Sequence, residues 1–180
     1  MTSGTTGKPK AIACPTVAYA VAVHAREATL PYARGGADGD ADGDADADAD
    51  ADGDGAREVE GCNVMFVWEA LRPLCYGHVA LVVPDDVIVD TARLAAYLAE
   101  HRATRLLSTP SLLATLLETA ADAASAGDAP LNAALGRMRT WLLCGEVVPA
   151  GLAAAAARQL PRLRLVNDYS SWEGLSVIHI

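Results

Sequence analysis

Short apolar runs alternate along most of this chain with longer segments of helical periodicity, and that alternation restricts the fold more than any other feature. Val79–Val83 is an uninterrupted apolar run ended by Pro84-Asp85-Asp86, the pattern of a parallel strand buried on both faces. Ala103–Ser108, Trp141–Cys144 and Leu163–Val166 read as further strands. Between them Thr91 caps a helix through Arg102 with Leu94, Tyr97 and Leu98 on one face. Pro110 starts a helix reaching about Ala124, and Pro149–Leu160 forms an Ala-rich one. Upstream, Lys10–Cys14 reads as a short strand and Pro15 opens a helix to about Glu27. Asn63–Leu74 sets Val64, Phe66, Val67, Leu71 and Leu74 at helical spacing. Repeated strand–helix alternation predicts a doubly wound, mostly parallel α/β sheet. Ligands of such sheets gather at loops after the carboxyl ends of strands. Cys144-Gly145-Glu146 and Asn167-Asp168-Tyr169 both fall at such ends.

The net charge of −9 suggests a basic partner until its source is located. Ala37–Asp54 alternates Asp with Ala or Gly and holds nine of the 23 acidic residues; the other 14 balance the 14 Lys and Arg. Nothing basic is clustered enough for nucleic acid. Asp48-x-Asp50-x-Asp52-Gly53 has the opening of a calcium loop, but its twelfth position is Val59; the frame starting at Asp38 ends on Ala49. Self-repelling and nearly free of bulky side chains, residues 35–58 are expected to form a disordered low-complexity insert. Hydrophobic residues make up 52% of the chain, so the remainder is long enough to bury a core. Cys14, Cys62, Cys75 and Cys144 lack the spacing of zinc ligands, and three sit in apolar runs as reduced core residues. No basic, apolar leader and no run of membrane-spanning length is visible, so a soluble, cytoplasmic setting is expected.

The N-terminal run Thr2-Ser3-Gly4-Thr5-Thr6-Gly7-Lys8-Pro9-Lys10 carries the densest chemistry. Gly4 and Gly7 let the backbone turn tightly and bring N–H groups near an anion. The hydroxyls of Thr2, Ser3, Thr5 and Thr6 add donors, and Lys10 adds a charge suited to phosphate. Two residues separate the glycines and Pro9 follows Lys8, so this is not a Walker A loop. Taken whole, Ser3-Gly4-Thr5-Thr6-Gly7-x-Pro9-Lys10 resembles the phosphate-loop signature of the AMP-forming adenylation superfamily, which includes acyl-CoA synthetases and the adenylation domains of non-ribosomal peptide synthetases and carboxylate reductases.

Two later stretches resemble further motifs of that superfamily. Cys144-Gly145-Glu146 is similar to the Gly-Gly-Glu segment whose backbone lines the adenine pocket. Asn167-Asp168-Tyr169-Ser170-Ser171-Trp172-Glu173 is similar to its Asn-x-Tyr-Gly-x-Thr-Glu motif. By this resemblance Tyr169 stacks on adenine, Asn167 faces the exocyclic amine, and Glu173 holds Mg²⁺ beside the phosphates. Ser170 replaces the glycine, a mild departure. Trp172 replaces a hydroxyl residue that touches phosphate; an indole has one donor and no acceptor. Phe66–Leu74 resembles the helix in which an Asp, five residues before Glu69, commonly pairs with a substrate α-ammonium. That position is Val64 here, which cannot balance a buried ammonium. A carboxylic acid without an α-amine is the expectation, unless the register has slipped beside the insert.

The resemblance implies a slice of the large N-terminal subdomain of an adenylate-forming enzyme. Its later ribose-binding Asp motif, hinge and small C-terminal domain with its catalytic Lys are missing. The implied reaction is attack of a carboxylate on the α-phosphorus of ATP, giving acyl-adenylate and pyrophosphate, then transfer to coenzyme A or to a carrier-protein phosphopantetheine. A fragment of this kind is expected to be inactive alone. A degenerate nucleotide-binding or interaction module is the alternative that Trp172 favours, and an unrelated α/β protein with an incidental Gly/Thr turn is a third. The resemblance requires the Thr5 loop and Tyr169 to converge on one triphosphate.

Overall fold

The computed structural model describes residue 13 and residues 15–33, 57–63, 66–170 and 177–179. Six strands form one sheet: β1 (Val59–Cys62), β2 (Val79–Val82), β3 (Arg105–Ser108), β4 (Thr140–Leu143), β5 (Arg164–Ser170) and β6 (Val177–His179). Their order is β2-β1-β3-β4-β5-β6. The first five run parallel, and β6 pairs antiparallel with β5. Helices α1 (Thr16–Thr29), α2 (Phe66–Cys75), α3 (Asp85–Ile88), α4 (Thr91–Glu100), α5 (Pro110–Ser125), α6 (Leu131–Ala134) and α7 (Ala150–Gln159) complete the fold. From β1 the chain steps outward to β2, then crosses back to β3 and continues to β5. The winding direction therefore reverses between β1 and β3, as the doubly wound expectation requires.

Strand alternation gives the sheet two unlike faces. On one, Leu106, Trp141 and Leu143 meet Leu94 and Leu98 of α4, Leu113, Leu116 and Leu117 of α5, and Leu152 and Ala156 of α7. The Trp141 indole N–H donates to Ser108 Oγ at 2.8 Å, so this core leaves its one buried ring donor satisfied. Gly61 is what allows the close packing: a Cβ there would stand 2.7 Å from Leu106 Cδ1 and 3.6 Å from Leu98 Cδ2. The opposite face carries a small apolar cluster of Leu30, Leu107, Leu142, Cys144 and Val166.

Beside that cluster lies a buried ionic layer. Arg105 donates to Glu58 at 2.5 Å and to the carbonyls of Leu30 and Pro31 at 3.1 and 2.5 Å. Arg72 pairs with Glu27 at 3.1 Å and also donates to the Leu30 carbonyl. Both guanidiniums lie over the Tyr32 ring, 4.3 and 4.6 Å from its centroid, and the Tyr32 hydroxyl donates to Glu60. Burial pushes the Tyr32 hydroxyl far above its ordinary pKa, so it stays a donor. Burial alone would raise Glu58 as well, but the Arg105 hydrogen bond and charge outweigh it and hold this carboxyl below its usual range. The layer fastens the exit of α1 to β1 and β3.

Several expectations need correcting. Val79–Val82 is the parallel strand anticipated, yet it lies at the edge of the described sheet, with Val79 39% and Val82 54% exposed. Strand β1 was not anticipated, because Glu58, Glu60 and Gly61 mask a short strand between the acidic segment and the next helix. That helix starts at Phe66 rather than Asn63. Asp90, not Thr91, caps α4, accepting from the Arg93 N–H at 3.1 Å. Pro15 and Pro149 occupy the cap positions, and Thr109 caps α5 ahead of Pro110. The short helices α3 and α6 were also not anticipated. Cys62 and Cys144 are buried as expected, whereas Cys75 is exposed. Most of the strand expected at Lys10–Cys14 lies outside the described residues, as do residues 35–56 of the expected insert; its last residue, Glu58, is buried against Arg105 rather than disordered. Among the described residues no helix is long and apolar enough to cross a membrane.

Two outcomes are expected. The ends of the acidic segment are tied together, since the Ala33 N–H donates to Glu58 at 2.5 Å. Replacing residues 34–56 with a short Gly/Ser link should leave the melting temperature unchanged or slightly raised, because shortening a closed loop recovers ~1 kcal/mol of closure entropy. Glu58→Gln should cost about 3 kcal/mol at neutral pH by leaving Arg105 buried without its counter-charge. Glu58 has a lowered folded pKa, so its contribution is complete above its ordinary value near 4.5 and is lost as pH falls through the folded value. Melting curves of wild type and variant should therefore draw together as pH falls from about 4.5 through the lowered folded value.

Candidate nucleotide site

The two downstream motifs meet at the carboxyl edge of the parallel sheet. Ser108, Leu143 and Asn167 stand in register across β3, β4 and β5, so the segments following them emerge side by side. After Leu143 the backbone turns at Gly145, whose φ of 89° is a left-handed conformation that a side chain would strain. No atom lies within 4 Å of a Cβ placed there, so conformation rather than space selects glycine. Glu146 then reaches the first turn of α5. It accepts from the Ser111 backbone N–H at 3.1 Å and from the Ser111 hydroxyl at 2.9 Å. A carboxylate at a helix N-terminus satisfies a free N–H and opposes the positive dipole end. With its side chain committed to α5, Glu146 contributes backbone to the open edge.

Strand β5 does not end at Val166 as expected but continues through Ser170. Asn167, Asp168 and Tyr169 therefore lie within a strand rather than in a loop after one. The physical reason is β6: past Asn167 the parallel ladder to β4 has run out, and Asp168, Tyr169 and Ser170 pair with His179, Ile178 and Val177. Alternation sends Asn167 and Tyr169 to the face carrying α5 and α7. Asn167 is half-buried, and Tyr169 is 62% exposed, an aromatic surface open to a planar ligand. Asp168 points to the opposite face, where it is buried against Arg26 of α1.

The structure thus brings Gly145, Glu146, Asn167 and Tyr169 to one edge. Thr2, Ser3, Gly4, Thr5, Thr6, Gly7, Lys10, Trp172 and Glu173 lie outside the described residues, so the convergence of Thr5 with Tyr169 does too. Sequence reasoning missed Ser111, although Pro110-Ser111 at a helix start marks a residue whose N–H needs an acceptor. It also missed the Arg26–Asp168 pair, which spans 142 positions and has no local signal.

Comparison with known proteins bears on the family and the fold. The profile of the AMP-binding enzyme family matches residues 61–180. The glycine betaine reductase ATRR of Emericella nidulans is 40% identical over 171 residues, covering 95% of this chain and 11% of that relative. The Vibrio cholerae adenylation domain AlmE, solved with glycyl-adenosine-5'-phosphate, superposes with a TM-score of 0.68 at 21% identity, over 98% of this chain and 28% of its own. The o-succinylbenzoate coenzyme A synthetase of Bacillus subtilis, in complex with AMP, gives a TM-score of 0.66 at 16% identity, over 99% and 31%. These two structures share the fold, and the chain spans about a ninth to a third of each protein it matches. Profile, curated relative and fold agree: the chain belongs to the AMP-binding enzyme family.

Proposed function

We propose that this chain is part of an ATP-dependent, AMP-forming enzyme that activates a small carboxylic acid. The observation that carries the reading is the placement of Gly145-Glu146 and Asn167-Tyr169 side by side at the carboxyl edge, with the Tyr169 ring exposed. In this reading Tyr169 stacks on adenine, Asn167 faces its exocyclic amine, and the backbone at Gly145-Glu146 closes the pocket edge. Thr2, Ser3, Gly4, Thr5, Thr6, Gly7 and Lys10 surround the β- and γ-phosphates. Bound Mg²⁺, held by Glu173, would neutralise charge on the phosphates; a carboxylate is the donor a hard cation takes. The substrate carboxylate attacks the α-phosphorus and pyrophosphate leaves, a step that depends mainly on positioning. The acyl group then passes to the thiol of coenzyme A or of a carrier-protein phosphopantetheine.

The substrate class follows from Val64, an apolar residue where an α-ammonium would need an acid. Glycine betaine, which names the 40% identical relative, keeps a positive charge on its quaternary nitrogen but has no N–H for an acid to accept from. An acid without an N–H-bearing α-nitrogen fits a valine there better than an α-amino acid does. The second reading is a degenerate module without catalysis, and Trp172 is the observation that favours it.

ATP–pyrophosphate exchange on the complete protein, with glycine betaine, other short acids and α-amino acids, separates these readings. Acid-dependent exchange is expected, strongest with acids lacking an α-amine. Tyr169→Ala should raise the KM for ATP about tenfold, the worth of one base stacked on an aromatic ring. Absence of exchange with every acid, persisting in Trp172→Thr, would establish the degenerate module.

A further inference from the structure

We propose that Arg26 and Asp168 form a positioning pair that sets the nucleotide-facing strand against α1. The inference rests on the functional reading above. Asp168 occupies the unspecified place between Asn167 and Tyr169, and strand alternation turns it away from them. Its side chain is fully buried, and one carboxylate oxygen binds the nearly buried Arg26 guanidinium. The other, Oδ1, has no hydrogen-bond partner among the described residues. A buried carboxylate in that state depends on its one counter-charge.

The location gives the pair its effect. Asn167 is the last β5 residue held by the parallel ladder, opposite Leu143. Asp168 is the first beyond it, so among the described residues the β4 ladder does not extend to where Tyr169 is presented. The antiparallel partner β6 and the anchor to Arg26 hold it instead. Arg26 lies in the last turn of α1, whose exit is in turn clamped by Arg72 and Arg105 through the Leu30 and Pro31 carbonyls. The Gly/Thr run leads into α1 in the sequence, so the pair links the adenine-facing strand to the element that follows the phosphate-binding run. A directional, charge-assisted bond restricts rotation and slip in a way apolar contact does not.

The test uses the complete protein, comparing wild type with Asp168→Asn, Arg26→Met, Arg26→Lys and the apolar double variant Arg26→Met/Asp168→Leu. KM for ATP, KM for the acid, kcat, melting temperature and amide hydrogen exchange are measured. Each neutral single variant should raise the KM for ATP about tenfold while changing that for the acid by less than about twofold. Arg26→Lys should recover most of the loss. The double variant should regain stability, because no buried charge is left unpaired, yet keep the raised KM for ATP. Recovery of both in the double variant, or an unchanged KM for ATP in the singles, would overturn the proposal. If wild type shows no acid-dependent exchange, the functional reading fails, and hydrogen exchange decides the coupling alone. Faster exchange of both α1 and residues 168–170 in Asp168→Asn supports it, and an effect confined to β5 refutes it.

Discussion

The buried guanidinium of Arg105, in the middle of the sheet, is the interaction on which most of this architecture depends. From β3 it reaches Glu58 at the entry to β1 and the carbonyls of Leu30 and Pro31 at the exit of α1. A central strand of a parallel sheet is normally covered by apolar side chains on both faces. Here one face is leucine-rich and the other substitutes charges, hydrogen bonds and an aromatic ring for part of that cover. Such a layer adds little net stability over an apolar one, since desolvation offsets most of the attraction. What it supplies is direction. Bidentate guanidinium geometry fixes where α1 leaves the sheet, which leucine contacts alone would leave free to slide.

The reversal of winding between β1 and β3 leaves the carboxyl edge open between those two strands. Helices α2 and α5, which follow β1 and β3, lie on opposite faces of the sheet, so no continuous crossover covers the ends of those strands. The loops after β3 and β4 are joined by Glu146 and Ser111, which uses up the first-turn N–H of α5 that an anion would otherwise contact. On the proposed reading, recognition at this edge falls to backbone near Gly145 and to the exposed ring of Tyr169.

Much of the fold was legible in the sequence because apolar periodicity reports burial directly. The runs at Ala103–Ser108 and Trp141–Cys144 overlap strands buried at every position, and Leu94 and Leu98 mark the inner face of α4. What was not legible involves charge. Strand β1 was concealed by Glu58 and Glu60, two carboxylates whose burial is sensible only once Arg105 and Tyr32 lie beside them. The length of β5 was underestimated because a strand carrying Asn, Asp and Tyr looks like a loop until β6 supplies its partner. For the candidate site, motif order proposed Gly145, Glu146, Asn167 and Tyr169, which the fold brings to one edge, while the partners of Glu146 and Asp168 came from distant segments.

The sequence by itself determined the doubly wound class, the family and the residue types of the candidate site, since period and motif spacing are local properties of the chain. Tertiary structure alone decided which acidic residues are buried, which face of β5 carries Tyr169, and that β2 is an edge. Those outcomes depend on pairings across long sequence separations, where a buried charge is tolerated only when a partner from elsewhere arrives to meet it.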